Sequence, residues 1–159
     1  MAQGDYTQFN YFAQSYGSNI LNTHTFKIAL TTLQVGGTPT IAATDAVPTW
    51  GSGGTTDLST SEVTAGGNYS AGGQTITTGT SLTTNVFRLT GTAVTWTKAA
   101  GSPTDIKTAV IYSDTATNKD AVGFVDLTTD GTTAVSLVSQ DIVVTINADG
   151  IVKVTVNAT

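Results

Sequence analysis

The sequence contains few side chains that could perform acid–base, nucleophilic or metal chemistry. It has one histidine, His24, and no cysteine. A catalytic triad needs an imidazole beside a nucleophile and an orienting acid, and a zinc site needs three or four His, Cys or carboxylate ligands. His24 lies between two threonines just before a predicted strand, a position that favours an exposed or capping role. Glu62 is the single glutamate, and no motif pairs it with the second carboxylate that a glycosidase needs. We therefore predict a protein that is not an enzyme and has no cofactor.

Oxygen ligands do share one segment, where Asp114, Asn118 and Asp120 fall within seven residues. Such a spacing could hold a calcium ion. The segment lacks the bidentate glutamate and the central glycine of an EF-hand, and Lys119 places a positive charge among the ligands. The pattern therefore favours an Asx-type turn over a metal site.

The composition points to a β-rich structural or binding protein. Threonine occurs 34 times among the 159 residues, whereas only 11% of the residues are charged. Threonine packs well in strands because its β-carbon is branched, and it supplies a hydroxyl without a charge. The net charge of −5 and the scattered basic residues argue against a nucleic-acid partner, since phosphate contacts need clustered Lys and Arg. No apolar run reaches the length of a membrane span, and the first residues do not resemble a signal peptide, so we expect synthesis in the cytoplasm and no membrane partner.

A two-residue period dominates the chain from Thr25 onward and predicts an antiparallel β-sandwich of jelly-roll type over residues 25–159. In the first strand Phe26, Ile28 and Leu30 point inward, and the alternate residues are expected to face solvent. A long Gly-, Thr- and Ser-rich stretch follows, from Gln34 to Gly73, in which we expect short strands and turns. Further strands are predicted at 74–78, 85–89, 93–97, 107–112, 121–127, 142–147 and 151–156. The fourth and fifth of these, and the last two, are each predicted to form a hairpin.

The first 24 residues have a different pattern and are predicted to form a separate helix or arm. Tyr6, Phe9, Phe12 and Tyr16 recur at three- and four-residue spacing, which predicts a short helix from about Asp5 to Tyr16. This helix could fold back over one end of the sandwich, or it could dock on a neighbouring subunit.

Aromatic side chains are the usual energetic centre of a protein interface, and they provide our candidate contact residues. Trp50 lies in a Gly-rich loop, where it could cap the core, stack on a sugar or dock on a protein. The candidate interface residues are Tyr6, Phe9, Phe12, Tyr16, Trp50 and Tyr69.

Four segments together resemble a group of small virion proteins of tailed bacteriophages. These segments are Thr25–Thr31, Glu62–Thr75, Val94–Thr97 and Thr108–Asp120. The resemblance implies a capsid decoration, or cement, protein that lies on the outer surface of the shell and binds the major capsid protein. It also implies self-association, with a homotrimer expected, and it carries no catalytic residues. The alternative is a tail or fibre component that recognises a glycan on the host surface.

Overall fold

The computed structural model describes residues 6–9, 23–83 and 86–155 of the chain. Within these ranges the regular structure is β-strand apart from one 3₁₀ turn at Leu58–Ser61, so the predicted all-β class is confirmed. In chain order the strands are β1 (Tyr6–Gln8), β2 (Phe26–Thr31), β3 (Gln34–Val35), β4 (Thr40–Ile41), β5 (Pro48–Thr49), β6 (Thr56–Asp57), β7 (Gln74–Ile76), β8 (Thr78–Thr83), β9 (Val86–Gly91), β10 (Val94–Trp96), β11 (Thr108–Ser113), β12 (Ala121–Asp126), β13 (Ile142–Val144) and β14 (Val152–Thr155).

An antiparallel sheet of five strands, in the order β1-β12-β11-β2-β7, forms the centre of the molecule. Every residue of β11 and β12 is buried, as expected for strands with apolar runs that lie inside a sheet. These two strands form the hairpin that the sequence predicts. The prediction that β2 is half-buried is wrong, because Ala29 and Thr31 are as inaccessible as Leu30. Both faces of the central sheet are covered.

A second layer of strands covers one face of the central sheet and encloses what we call the sandwich core. This layer consists of the sheet β14-β9-β8 and the pair β10-β13. Only Thr77 separates β7 of the central sheet from β8, so the chain passes from one layer to the other at this residue. The buried residues of the sandwich core come from both layers and include Phe26, Ile28, Leu30, Tyr69, Leu89, Val94, Trp96, Ile111 and Ile142.

The opposite face of the central sheet is covered by irregular chain from the Gly-rich stretch. The short parallel pairs β3-β4 and β5-β6 and the 3₁₀ turn lie in this segment, in agreement with the short strands and turns predicted there. The residues buried beneath it form the loop-covered core, which consists of Phe9, Ala29, Leu33, Ile41, Trp50, Leu58, Val110, Tyr112, Ala121 and Phe124.

The predicted hairpin between residues 142–147 and 151–156 is wrong. The turn itself forms, with the Gly150 amide donating to the Asn147 carbonyl at 2.9 Å. However, β13 pairs with β10 and β14 pairs with β9. In this arrangement Ile142 and Val144 meet Val94 and Trp96 in the sandwich core, a contact that a local hairpin does not require. The alternation of apolar residues specifies which face is buried and leaves the partner strand open.

The predicted N-terminal helix is wrong over Tyr6–Gln8, which form an edge strand of the central sheet. Pairing with β12 supplies backbone hydrogen bonds, and the Phe9 amide extends it by donating to the Val122 carbonyl at 3.0 Å. Residues 6–9 therefore belong to the sandwich and not to a separate arm. The rest of the predicted helix, with Phe12 and Tyr16, lies outside the described residues. Among the described residues no helix is long and apolar enough to cross a bilayer.

Candidate interaction surface

Two loops contact each other at one place on the molecule and are joined by backbone hydrogen bonds. The first is Val47–Asp57 and the second is Ser113–Asp120. The Trp50 amide donates to the Lys119 carbonyl at 2.9 Å, and Thr49 and Asp120 form an isolated antiparallel bridge. Gly53 packs directly on the second loop, since a Cβ at this position would lie 2.8 Å from the Asn118 Cα. We call the exposed residues of these two loops the joined-loop surface.

The carboxylate of Asp57 organises the first loop. One of its oxygens accepts hydrogen bonds from the Gly51 amide at 2.9 Å and from the Ser59 amide and hydroxyl at 3.0 and 2.6 Å. Asp57 is the N-cap of the 3₁₀ turn, a role that aspartate favours because its short side chain reaches nearby backbone amides. The Thr49 hydroxyl donates to the Gly51 carbonyl at 2.6 Å and closes the loop from the other side.

The backbone of the joined loops contains two non-glycine residues in the left-handed region. Val47 has a φ of 41° and Lys119 a φ of 50°. This conformation is costly for a β-branched residue, and such strain persists where the surroundings hold the chain in place. The Val47 carbonyl accepts from the amides of Thr55 and Thr56 at 3.2 and 3.4 Å, and these bonds hold the turn. These hydrogen bonds hold both loops in a defined conformation.

Asp114 in the second loop is placed between two lysines. Its carboxylate oxygens lie 3.1 Å from both the Lys27 and Lys119 ammonium groups. Burial opposes the charge on Asp114, but the hydrogen bonds from Lys119 and Lys27 outweigh it and hold the pKa of Asp114 below its usual value. The turn is closed by the Lys119 amide, which donates to the Ala116 carbonyl at 2.9 Å. Within the described residues no group of three His, Cys, Asp or Glu could hold a metal ion.

Trp50 lies beneath the joined-loop surface and not on it. Its indole stacks on the ring of Tyr112 with centroids 4.9 Å apart and planes 8° from parallel, and the residue is 6% exposed. The Tyr112 hydroxyl donates to the Gly72 carbonyl at 2.8 Å, and burial raises the pKa of Tyr112. Trp50 therefore caps the core, which is one of the roles considered for it, and joins the loops to the central sheet.

The exposed part of the joined-loop surface is uncharged apart from Lys119, whose ammonium group is paired with Asp114. Hydroxyls, one amide and glycine backbone form the rest. Its exposed residues are Ser52, Gly53, Thr55, Thr115, Thr117, Asn118 and Lys119. A rigid surface of hydrogen-bonding groups can dock on a protein with little loss of conformational entropy, because its loops are already ordered.

A second polar network lies where the Gly-rich stretch meets the sandwich core. The Tyr69 hydroxyl donates to Glu62 at 2.8 Å and accepts from the Leu30 amide at 3.0 Å, and the Gly72 amide also donates to Glu62. Burial and the hydrogen bond to Glu62 raise the pKa of Tyr69. Tyr69 is 2% exposed, so the hydrogen bonds of its hydroxyl link this segment to β2 inside the fold.

His24 contacts the start of the second loop. Its Nδ1 lies 2.7 Å from the Ser113 hydroxyl, which also accepts from the Ala116 amide at 3.2 Å. Burial lowers the pKa of His24, and the negative charge of nearby Asp120 partly offsets this by raising that pKa. Ser113 is fully buried, so its hydroxyl is not presented to solvent.

The three aromatic candidates whose side chains the structure describes, Phe9, Trp50 and Tyr69, are buried and do not form one surface. Phe9 and Trp50 lie in the loop-covered core, where Phe9 is 5.2 Å from Phe124 between ring centroids, and Tyr69 lies in the sandwich core. Tyr6 is described only by its strand pairing with Val125, and the other two candidates lie outside the described residues. The exposed residues above Trp50 are not aromatic. In the sequence, only the Gly and Ser content of the loop indicates them as candidates.

Comparisons of the chain with protein families, with curated proteins and with solved structures gave no match.

Proposed function

We propose that the protein is a structural virion protein that decorates a capsid. It binds the outer surface of the major capsid protein shell and stabilises it by burying surface between neighbouring subunits. The observation that carries this proposal is the joined-loop surface, which is held rigid by the Asp57 carboxylate and by the backbone contact between Trp50 and Lys119.

The composition supports the same function. A decoration protein is present in many copies on one shell, so like charges on neighbouring copies would repel each other. Lys119 is the one charged residue among the exposed residues of the joined-loop surface, and its ammonium group is paired with Asp114 at 3.1 Å. Hydroxyls at Ser52, Thr115 and Thr117 can exchange water for hydrogen bonds to a capsid subunit. We further propose that the protein acts as a homotrimer on the capsid.

The glycan-binding alternative receives less support. It depends on exposed aromatic rings that could stack on a sugar, and Trp50 and Tyr69 are the two candidate interface residues in the Gly-rich stretch. Trp50 is 6% and Tyr69 2% exposed, so neither ring offers a free face.

Capsid binding with surface variants tests the proposed contact. We expect Ser52→Glu with Thr117→Glu to abolish co-sedimentation with purified capsids that lack the protein, because two carboxylates would have to be desolvated in the contact. The matched control is Thr104→Glu with Gln140→Glu, which makes the same charge change at exposed residues outside the two loops. Equal binding by both double variants would exclude the joined-loop surface as the contact.

The copy number per virion tests the function as a whole. Quantitative mass spectrometry of purified virions should find hundreds of copies if the protein covers the shell. A dozen copies or fewer would place it in the tail and would overturn the proposal.

A further inference from the structure

The outer edge of β10 is covered by side chains and not by a strand. One edge of β10 pairs with β13, in a register that places Thr95 opposite Val143. At the other edge the Gln74 side-chain amide donates to the Thr95 carbonyl at 3.2 Å. The Asn68 side-chain amide donates to the Thr97 carbonyl at 3.1 Å and to the Thr97 hydroxyl at 3.0 Å.

These two amides occupy the positions that a neighbouring strand would use. Alternate residues of a strand direct their carbonyls to the same edge, so Thr95 and Thr97 present consecutive acceptors there. An incoming strand would supply backbone N–H donors to the same two oxygens. Asn68 and Gln74 supply N–H donors instead, from side chains that cannot extend the sheet.

The backbone conformation around Asn68 and Gln74 fixes the positions of both side-chain amides. Asn68 is at the tip of a tight turn in which Gly66 and Tyr69 exchange two backbone hydrogen bonds of 3.0 Å. Gly67 has a φ of +55° and a Cβ there would collide with the Ser102 hydroxyl, so this turn requires glycine. Gln74 begins β7 and lies opposite Ile28 of β2, and this pairing holds its backbone where the side-chain amide reaches the Thr95 carbonyl.

The strand β10 does not itself contain a residue of the kind that protects a sheet edge. Exposed edges are commonly protected by lysine, proline, a bulge or a covering segment, because an open edge can pair with another chain. Val94–Thr97 contains no charge and no proline. We propose that Asn68 and Gln74 close the outer edge of β10, and that without them this edge pairs with the same edge of a second copy of the chain.

A second copy fits this edge because of its charge and its symmetry. Two β10 edges can approach antiparallel across a two-fold axis, which gives each copy the same contacts. The uncharged residues of Val94–Thr97 then lie opposite each other without repulsion. The exposed side chains of Thr95 and Val143 would extend across the joined sheets on one face. This inference does not depend on the proposed function.

Removing the two amides tests the inference. We expect Asn68→Ala with Gln74→Ala to form a concentration-dependent species of twice the wild-type mass in analytical ultracentrifugation. Hydrogen exchange of the Thr95 and Thr97 amides should slow in that species. The matched control, Asn118→Ala with Gln140→Ala, removes two exposed amides elsewhere and should keep the wild-type mass at every concentration.

A charged variant distinguishes association through the β10 edge from association that is caused by loosening of the loop. Asn68→Asp with Gln74→Glu also removes both donors but places two negative charges at the edge, so it should stay at the wild-type mass. Association of this variant to the same extent as the alanine variant would overturn the proposal. So would an alanine variant, or either of its single substitutions if the double variant does not fold, that keeps the wild-type mass throughout the concentration series.

Discussion

The two cores on opposite faces of the central sheet are built in different ways. The sandwich core lies between two layers of strands, and aliphatic side chains that alternate along those strands fill most of it. The loop-covered core lies between the sheet and irregular chain, and four of its ten buried residues are aromatic. Irregular backbone does not present side chains at a regular spacing, so a few large rings, such as Trp50 stacked on Tyr112, fill the space instead.

The difference extends to the way each covering layer is held. Strands of the second layer are held by ladders of backbone hydrogen bonds. The loops over the other face are held by individual side chains, among them the Asp57 carboxylate and the Thr49 hydroxyl. A layer of this kind can present glycine and hydroxyl groups outward while remaining ordered, and the candidate interaction surface lies on this side.

Replacing Trp96 should reduce the stability of the fold most, because Trp96 lies in the sandwich core. Trp96 is 1% exposed in β10. We expect Trp96→Ala to lower the free energy of unfolding by about 3–5 kcal/mol, since two packed layers of strands cannot close over the cavity. Urea denaturation followed by circular dichroism measures this loss, and a loss below that of Trp50→Ala would contradict the comparison.

Replacing Trp50 makes the matched change in the loop-covered core. We expect Trp50→Ala to cost about 2–3 kcal/mol, because the loop above it can partly collapse into the space. Hydrogen exchange should rise in the two joined loops and stay unchanged in β9 and β14. Trp50→Phe keeps a ring against Tyr112 and should restore most of the protection in the loops.

Removing Glu62 tests the link between the Gly-rich stretch and the sandwich core. Glu62→Ala leaves the Tyr69 hydroxyl and the Gly72 amide without their acceptor, and we expect a loss of about 2 kcal/mol. Glu62→Gln keeps an acceptor oxygen and should lose less. Thermal unfolding of the two variants compares them, and an equal loss would contradict the assignment of the effect to the hydrogen bonds that Glu62 accepts.

The ion pairs of Asp114 should have the smallest effect. The pKa of Asp114 is lowered in the folded protein, so its contribution is complete above the unfolded pKa of about 3.9 and is lost as the pH falls through the lower folded pKa. The lysines and the carboxylate are partly exposed, so we expect Lys119→Met to cost under about 1 kcal/mol at neutral pH. Urea denaturation at a series of pH values should show the difference from wild type vanishing in acid, whereas a difference that persists there would have another cause.

Local patterns predicted the positions of strands better than their partners. The strand predicted at residues 107–112 forms as β11, and the turn at Asn147–Gly150 forms where the residues indicate. The pairing of β13 with β10 was missed because it joins residues far apart in the chain. The spacing of Tyr6 and Phe9 predicts a helix, but Tyr6–Gln8 pair with β12 as a strand, so tertiary pairing overrides the local preference.

The candidate site was less predictable than the fold. Trp50 marked the right loop, but the side chain is buried and the exposed groups are its neighbours Ser52 and Gly53. Glu62 is the single glutamate of the chain, and this is the one feature of the sequence that points to the hydrogen-bond network around it.

The sequence by itself determined the all-β class, the hairpin of β11 and β12 and the turn at Asn147–Gly150, because these depend on side-chain direction and on the conformations of a few neighbouring residues. The tertiary structure decided which strands pair, what covers the second face of the central sheet and which aromatic rings are buried. These outcomes depend on contacts between distant segments, and the alternation in β2 predicted one buried face although both of its faces are covered. Side-chain caps such as Asn68 on Thr97 become visible only when two such segments are side by side.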